Sequence, residues 1–96
     1  VAPKINCPMI VTENGIGTDD DEQRISYVKT ALEGLQRCID DGLDIRGYYY
    51  WSFLDNFEWL YGYKPRFGLI EVDRNTLERK SKKSLKFYQE IIENSV

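Results

Sequence analysis

Residues 45–53 read IRGYYYWSF (Ile45 to Phe53), and the way this stretch folds decides the architecture. Its aromatic residues occupy consecutive positions, so no alternation hands one face to solvent. Such a run fits a strand buried on both faces, as in a parallel sheet, with Tyr48-Tyr49-Tyr50 filling core positions. Immediately upstream, Ile25, Val28, Leu32, Leu35 and Ile39 follow one another at spacings of 3, 4, 3 and 4. That is one apolar stripe on a helix running to about Asp41, with Gly42 as its C-terminal stop. The run Asp19-Asp20-Asp21-Glu22 precedes it, where unpaired N–H groups and the helix dipole favour negative charge. Further upstream, residues 8–12 form a short apolar strand, and Asn14-Gly15 forms a turn.

Downstream, the loop LDNFEWLYGYKPRFG (54–68) carries Gly62, Pro65 and Gly68 as breakers. Residues 69–72 predict a short strand ending in an Asp73-Arg74-Asn75 turn. Ser81 or Ser84 is the expected cap of a last helix carrying Leu85, Tyr88, Ile91 and Ile92. The order is strand, helix, strand, helix, a βαβα unit. Two parallel strands joined by a helix leave both sheet edges and one face uncovered, and isolated two-stranded sheets are marginal in water. The chain also starts Val1-Ala2-Pro3, without an initiator Met. A segment of a larger α/β structure is therefore expected.

With 96 residues, 42% hydrophobic and 14% aromatic, the composition is that of a folded chain rather than a disordered one. The net charge is -3, and the basic residues are scattered apart from Lys80-Ser81-Lys82-Lys83, so nucleic acid is not an expected partner. No apolar run approaches the roughly 20 residues of a membrane span, and no leader pattern opens the chain. A cytoplasmic protein without a membrane partner is expected. Cys7 and Cys38 do not form a metal motif and read as reduced packing residues. The absence of histidine removes a Ser-His-Asp triad and imidazole-ligated metals. Carboxylates, tyrosines, lysines or a thiol are left for chemistry.

In structures built on parallel strands, active sites lie at the strands' C-terminal ends. Glu13 closes the first strand, and Glu58 lies in the loop after the second. Around Glu58, aromatic planes alternate with carboxylates and amides, which suits a sugar: a pyranose stacks on Trp while its hydroxyls take hydrogen bonds. A positioned carboxylate can also attack an anomeric carbon. The competing reading is ordinary. An acid before Asn-Gly is usually a solvated turn residue, and Trp51 and Trp59 alone are more often packing than platforms. Glu58, between Phe57 and Trp59, fits that reading least, because a carboxylate between two aromatics needs solvent or a partner.

VTENG (11–15), WSFLDNFEW (51–59) and GYKPRFGL (62–69), in this order and spacing, together resemble the C-terminal part of family 1 glycoside hydrolases, the β-glucosidase group. The resemblance implies a (β/α)₈ TIM barrel, to which residues 1–96 contribute the C-terminal quarter: strands 7 and 8 with their helices, incomplete alone. It implies that Glu13 is the catalytic nucleophile and that Trp51 stacks on the sugar. Glu58 and Trp59 then bind hydroxyls of the non-reducing sugar, and Phe67 lines the region near its 6-hydroxyl. No cofactor or metal is implied. The family's acid/base, the Glu of an Asn-Glu-Pro motif, is absent from this sequence, as are the upstream Gln, His, Asn and Arg of the site. A retaining glycosidase needs two carboxyl groups about 5–5.5 Å apart, and this chain offers one of them.

The resemblance thus implies part of a retaining β-glucosidase-like enzyme hydrolysing terminal β-D-glucosyl residues through a covalent glycosyl-enzyme. Its partners would be a β-glucoside or related β-glycoside and the remainder of the barrel, in the same chain or a complementary fragment. The isolated chain is expected to be inactive. Two other readings stand beside this one. The first is a non-catalytic fragment that packs with a partner or weakly binds sugar through Trp51 and Trp59. The second is a 6-phospho-β-glycosidase, disfavoured because Glu58 would repel a phosphate dianion.

Overall fold

The computed structural model describes residues 7–94. In chain order these form β1 (Met9–Asn14), α1 (Asp21–Asp40), β2 (Ile45–Tyr50), a single 3₁₀ turn (Trp59–Tyr61), β3 (Ile70–Val72), β4 (Arg79–Ser81) and α2 (Lys83–Asn94). β1 and β2 pair in parallel through the α1 crossover, with Val11 opposite Tyr48 and Asn14 opposite Tyr50. The strand expected over 8–12 runs two residues further. The ladder passes beyond the apolar run, because the Trp51 N–H donates to the Asn14 carbonyl at 2.9 Å.

α1 follows its sequence pattern closely. Asp20 is extended at φ -94° and its carboxylate accepts the Glu22 N–H, while Arg37 lies in the last turn, toward the negative end of the dipole. Gly42 then takes φ 98°, which stops the helix. Of the apolar stripe, Val28 is buried, Ile25, Leu32 and Leu35 are half-buried, and Ile39 is exposed.

α2 starts differently from expectation. Ser81 belongs to β4, and Ser84 lies inside the first turn of the helix. The Ser84 N–H donates to Asp21 Oδ2 at 2.8 Å and its hydroxyl to Asp21 Oδ1 at 2.7 Å. A carboxylate from α1 therefore satisfies an orphan donor of α2, the task assigned by sequence to a local serine.

β3 and β4 form an antiparallel hairpin with Ile70 opposite Ser81 and Val72 opposite Arg79. The expected turn is present: Asp73 Oδ1 accepts the Asn75 N–H at 2.8 Å. β4 itself was not foreseen, because Arg79-Lys80-Ser81 is polar and wholly exposed and is held by its backbone rather than by an apolar face.

β2 corrects a second expectation. Tyr48 and Tyr50 are half-buried, each with its ring centroid 6.3 Å from that of Tyr88 on α2. Arg46 and Tyr49 are exposed. One face is packed and the other, among the described residues, is left exposed at Arg46 and Tyr49, so Tyr49 is not a core residue here. Among the described residues the buried apolar core is Val28, Leu69 and Ile70, accompanied by buried Arg24, Ser52, Asp55 and Ser84. Both thiols are free. Cys38 is half-buried, but Cys7 is exposed and does not pack. No helix among the described residues is long and apolar enough to cross a membrane.

Candidate active site

The C-terminal ends of β1 and β2 converge. Beyond the Trp51–Asn14 backbone bond the chains approach so closely that a Cβ on Gly15 would overlap the Trp51 carbonyl oxygen and lie 3.3 Å from the Tyr50 ring. Glycine in the TENG stretch is thus a steric requirement of the strand ends. Asn14 is held at both ends of its amide: its Nδ2 donates to the Tyr27 hydroxyl at 3.1 Å, and its Oδ1 accepts the Tyr48 hydroxyl at 2.9 Å. Burial, together with nearby Tyr88, Tyr27 and Tyr50, pushes the Tyr48 phenol up to about 12, so it stays a neutral donor at neutral pH. In an extended strand neighbouring side chains take opposite faces. Glu13, next to this clamped amide, is exposed. Its carboxylate makes no hydrogen bond or ion pair among the described residues.

Trp51 follows β2 directly. Its indole N–H reaches Glu58 Oε1 at 3.4 Å, while Glu58 Oε2 is buried and has no hydrogen-bond partner among the described residues. The loop around Glu58 closes on itself, with the Glu58 N–H on the Gly62 carbonyl at 2.6 Å and the Tyr61 N–H on the Glu58 carbonyl at 3.0 Å. Trp59 sits at its tip with φ 51° and is 85% exposed. That left-handed conformation is unusual for an aromatic residue and costs roughly 1–2 kcal/mol.

The Phe67 carbonyl accepts the Ser52 N–H at 3.2 Å and the Tyr50 hydroxyl at 2.8 Å. Its ring lies against Gly17, where a Cβ would come within 2.9 Å. The structure therefore links Glu13, Trp51, Glu58 and Phe67 through short backbone or side-chain contacts of theirs or of their immediate neighbours. Trp59 is placed beside Glu58 only by the chain, and no hydrogen bond or ring contact joins its side chain to the others among the described residues.

Surface depressions lie elsewhere. One of about 420 Å³ is lined by Asp19 to Glu22, Glu71 and Lys80 to Lys83, and one of about 220 Å³ by residues 17–19 and 64–66. None of the five candidate residues lines either. Among the described residues no group of three or more His, Cys, Asp or Glu could hold a metal.

Several supporting residues had no sequence reading as parts of a site. Arg24, 1% exposed, donates to the Thr18 carbonyl and, at 2.5 Å, to the Arg66 carbonyl, joining the loop after β1 to the loop before β3. Lys82, read as part of a basic cluster, forms an ion pair with buried Asp55 at 3.0 Å.

Residues 3–96 match the family model described as Glycosyl hydrolase family 1. Beta-glucosidase A of Acetivibrio thermocellus is 45% identical over 91% of this chain and 21% of its own length. A bifunctional beta-D-glucosidase/beta-D-fucosidase of Bifidobacterium breve is 44% identical over 88% of this chain and 21% of its own. A beta-glycosidase from Pyrococcus horikoshii superposes with a TM-score of 0.86 at 54% identity, over 88% of this chain and 20% of that one. Beta-glycosidase BGL167 superposes with a TM-score of 0.90 at 48% identity, over 93% and 21%. This chain thus spans about a fifth of the length of these relatives, and its fold is part of a TIM barrel. With the family model covering nearly all of the sequence and the fold superposing on its solved members, the chain belongs to glycosyl hydrolase family 1.

Proposed function

We propose that residues 1–96 are the C-terminal quarter of a retaining β-glycosidase barrel, contributing its strands 7 and 8, and that Glu13 is the nucleophile. The observation that carries this reading is the 2.9 Å bond from the Trp51 N–H to the Asn14 carbonyl. It ties Asn14, the neighbour of exposed Glu13, to Trp51 at the C-terminal ends of neighbouring parallel strands, where barrels do their chemistry.

The Glu13 carboxylate attacks the anomeric carbon of a terminal β-glucosyl or related residue. The bond to the aglycone oxygen breaks as the glycosyl ester forms, and that oxygen takes a proton from a carboxylic acid supplied by the rest of the barrel. The same group then deprotonates the water that releases the sugar. Trp51 offers the stacking face, Glu58 and Trp59 meet sugar hydroxyls, and Phe67 borders the 6-hydroxyl region. The buried, unpartnered Glu58 Oε2 supports an unphosphorylated glycoside. A carboxylate oxygen only accepts, which matches a hydroxyl donor and opposes a phosphate dianion.

In the full-length protein carrying this chain, Glu13→Gln is expected to lower aryl β-glucoside hydrolysis by roughly 10³-fold or more. A 2-deoxy-2-fluoro glucoside should label the peptide containing Glu13, and the first-formed sugar should be the β-anomer. Turnover by Glu13→Gln close to that of the parent, or release of the α-anomer, would sink the assignment. The isolated chain, lacking the acid/base, should show no turnover.

A further inference from the structure

We infer that Asp55 and Lys82 form a latch that positions the proposed sugar-binding loop, and hence that they are positioning residues for glycone affinity; this rests on the function proposed above. Three groups close a ring. The Lys82 ammonium donates to Asp55 Oδ1 at 3.0 Å and to the Gly68 carbonyl at 2.8 Å, and the Gly68 N–H donates to the same Asp55 oxygen at 2.9 Å. Asp55 is 6% exposed, so these bonds act where water competes little. Gly68 leaves no slack: a Cβ there would lie 2.5 Å from the Leu54 carbonyl carbon and 2.8 Å from Asp55 Oδ1. Lys82 is itself anchored, its N–H donating to the Leu69 carbonyl at 3.0 Å.

The position of the ring in the chain gives it a role. Backbone bonds fix residues 52–55 against 67–70, the last being from the Asp55 N–H to the Ile70 carbonyl at 3.0 Å. Beyond Asp55 the loop leaves that support. Glu58 to Gly62 bond only to one another through their backbones among the described residues, and the Asp55 carbonyl receives the Arg74 guanidinium. Asp55 is therefore where the backbone bonds to residues 67–70 end before Glu58 and Trp59, with only the Asn56 amide tied back to Ser52 and Leu54 beyond it, and Gly68 directly follows Phe67. The latch sets the distance between the two halves of the sugar surface without itself facing it. A buried ion pair is weak evidence for stability, since a packed apolar pair often does as well. What a directional ring provides is one fixed geometry.

The test uses the full-length protein with Asp55→Asn, Lys82→Gln and the conservative Lys82→Arg. For Asp55→Asn and Lys82→Gln, KM for an aryl β-glucoside and the Ki of a glucose-shaped iminosugar should rise together by roughly 10-fold to 100-fold. Their kcat should change less than about threefold, because Glu13 sits on a separate strand end. Lys82→Arg should recover most of the affinity. If Asp55→Asn does not fold, Lys82→Gln decides alone, because it removes the ammonium from the ring while leaving Asp55 and its bond from the Gly68 N–H in place. Lowered Tm with unchanged KM and Ki, or a kcat loss at unchanged KM, would overturn the latch while leaving the proposed function standing. A parent protein that hydrolyses no β-glycoside would overturn both.

Discussion

At the scale of single residues, Gly15 and Glu13 carry different kinds of constraint. Glycine at 15 is dictated by the Trp51 carbonyl, which occupies the space of a Cβ. Glu13 has no such packing reason to be a glutamate, since its carboxylate is exposed and makes no hydrogen bond or ion pair among the described residues. The first constraint leads to a prediction. Gly15→Ala must push the ends of β1 and β2 apart and so move Glu13 relative to Trp51. A displacement near 1 Å there should lower kcat/KM of the full-length protein on an aryl β-glucoside by about 100-fold. Parent-like kinetics in a folded Gly15→Ala protein would show that the close approach does not govern the site. The steric demand itself was not legible in the sequence, where Asn14-Gly15 looked only like a turn. The carboxylate at the strand end was legible, because it lies between a short apolar run and Asn14-Gly15.

At the scale of elements, a carboxylate from the first turn of α1, Asp21, holds the start of α2. Burial pushes the Asp21 carboxyl up, but its hydrogen bonds from Ser84 and Arg24 outweigh this and hold it below its ordinary value of 3.8. The group therefore binds a proton more weakly in the folded chain than in the unfolded one. Its contribution to stability is present above 3.8 and is lost as pH falls through the lower folded value. Asp21→Asn should lower stability at neutral pH by about 1 kcal/mol, as loss of a helix cap does. Its Tm should also fall less steeply than the parent's as pH drops below 3.8. Parallel Tm–pH curves for the two proteins would contradict this role of Asp21 at the start of α2. Sequence reading placed acids correctly at the start of α1 but assigned the α2 start to a local serine. The true partner is 63 residues away, and local pattern carries no trace of it.

For the whole molecule, shape and surface point the same way. The radius of gyration is 15.1 Å, against about 13 Å for a compact domain of some 100 residues. Ile10, Tyr49, Trp51, Phe53, Leu60 and Tyr61 are all exposed, more apolar surface than an independent domain ordinarily leaves in water. Residues 1–96 alone should bind a hydrophobic fluorescent dye strongly and melt without a sharp transition. Supplying the remaining barrel segment should suppress the dye signal and restore cooperativity. A dye-silent monomer that melts cooperatively would refute the dependence on further structure. That the chain is part of a larger barrel was readable beforehand, from two parallel strands with too few elements to cover them.

By itself, the sequence determined what depends on spacing along the chain. The apolar stripe from Ile25 to Ile39 made α1, the unbroken aromatic run made β2, and their order made a parallel pair whose ends bear Glu13 and Trp51. Only the tertiary structure decided which polar groups meet across distance: Asp55 with Lys82, Asp21 with Ser84, Arg24 with the carbonyls of two loops, and exposed β4 with β3. Periodicity records which face of an element is apolar, because burial acts on many residues at once and leaves a repeating pattern. A hydrogen bond or ion pair is a single directional contact between atoms brought together by the fold, and it leaves no period in the sequence to read.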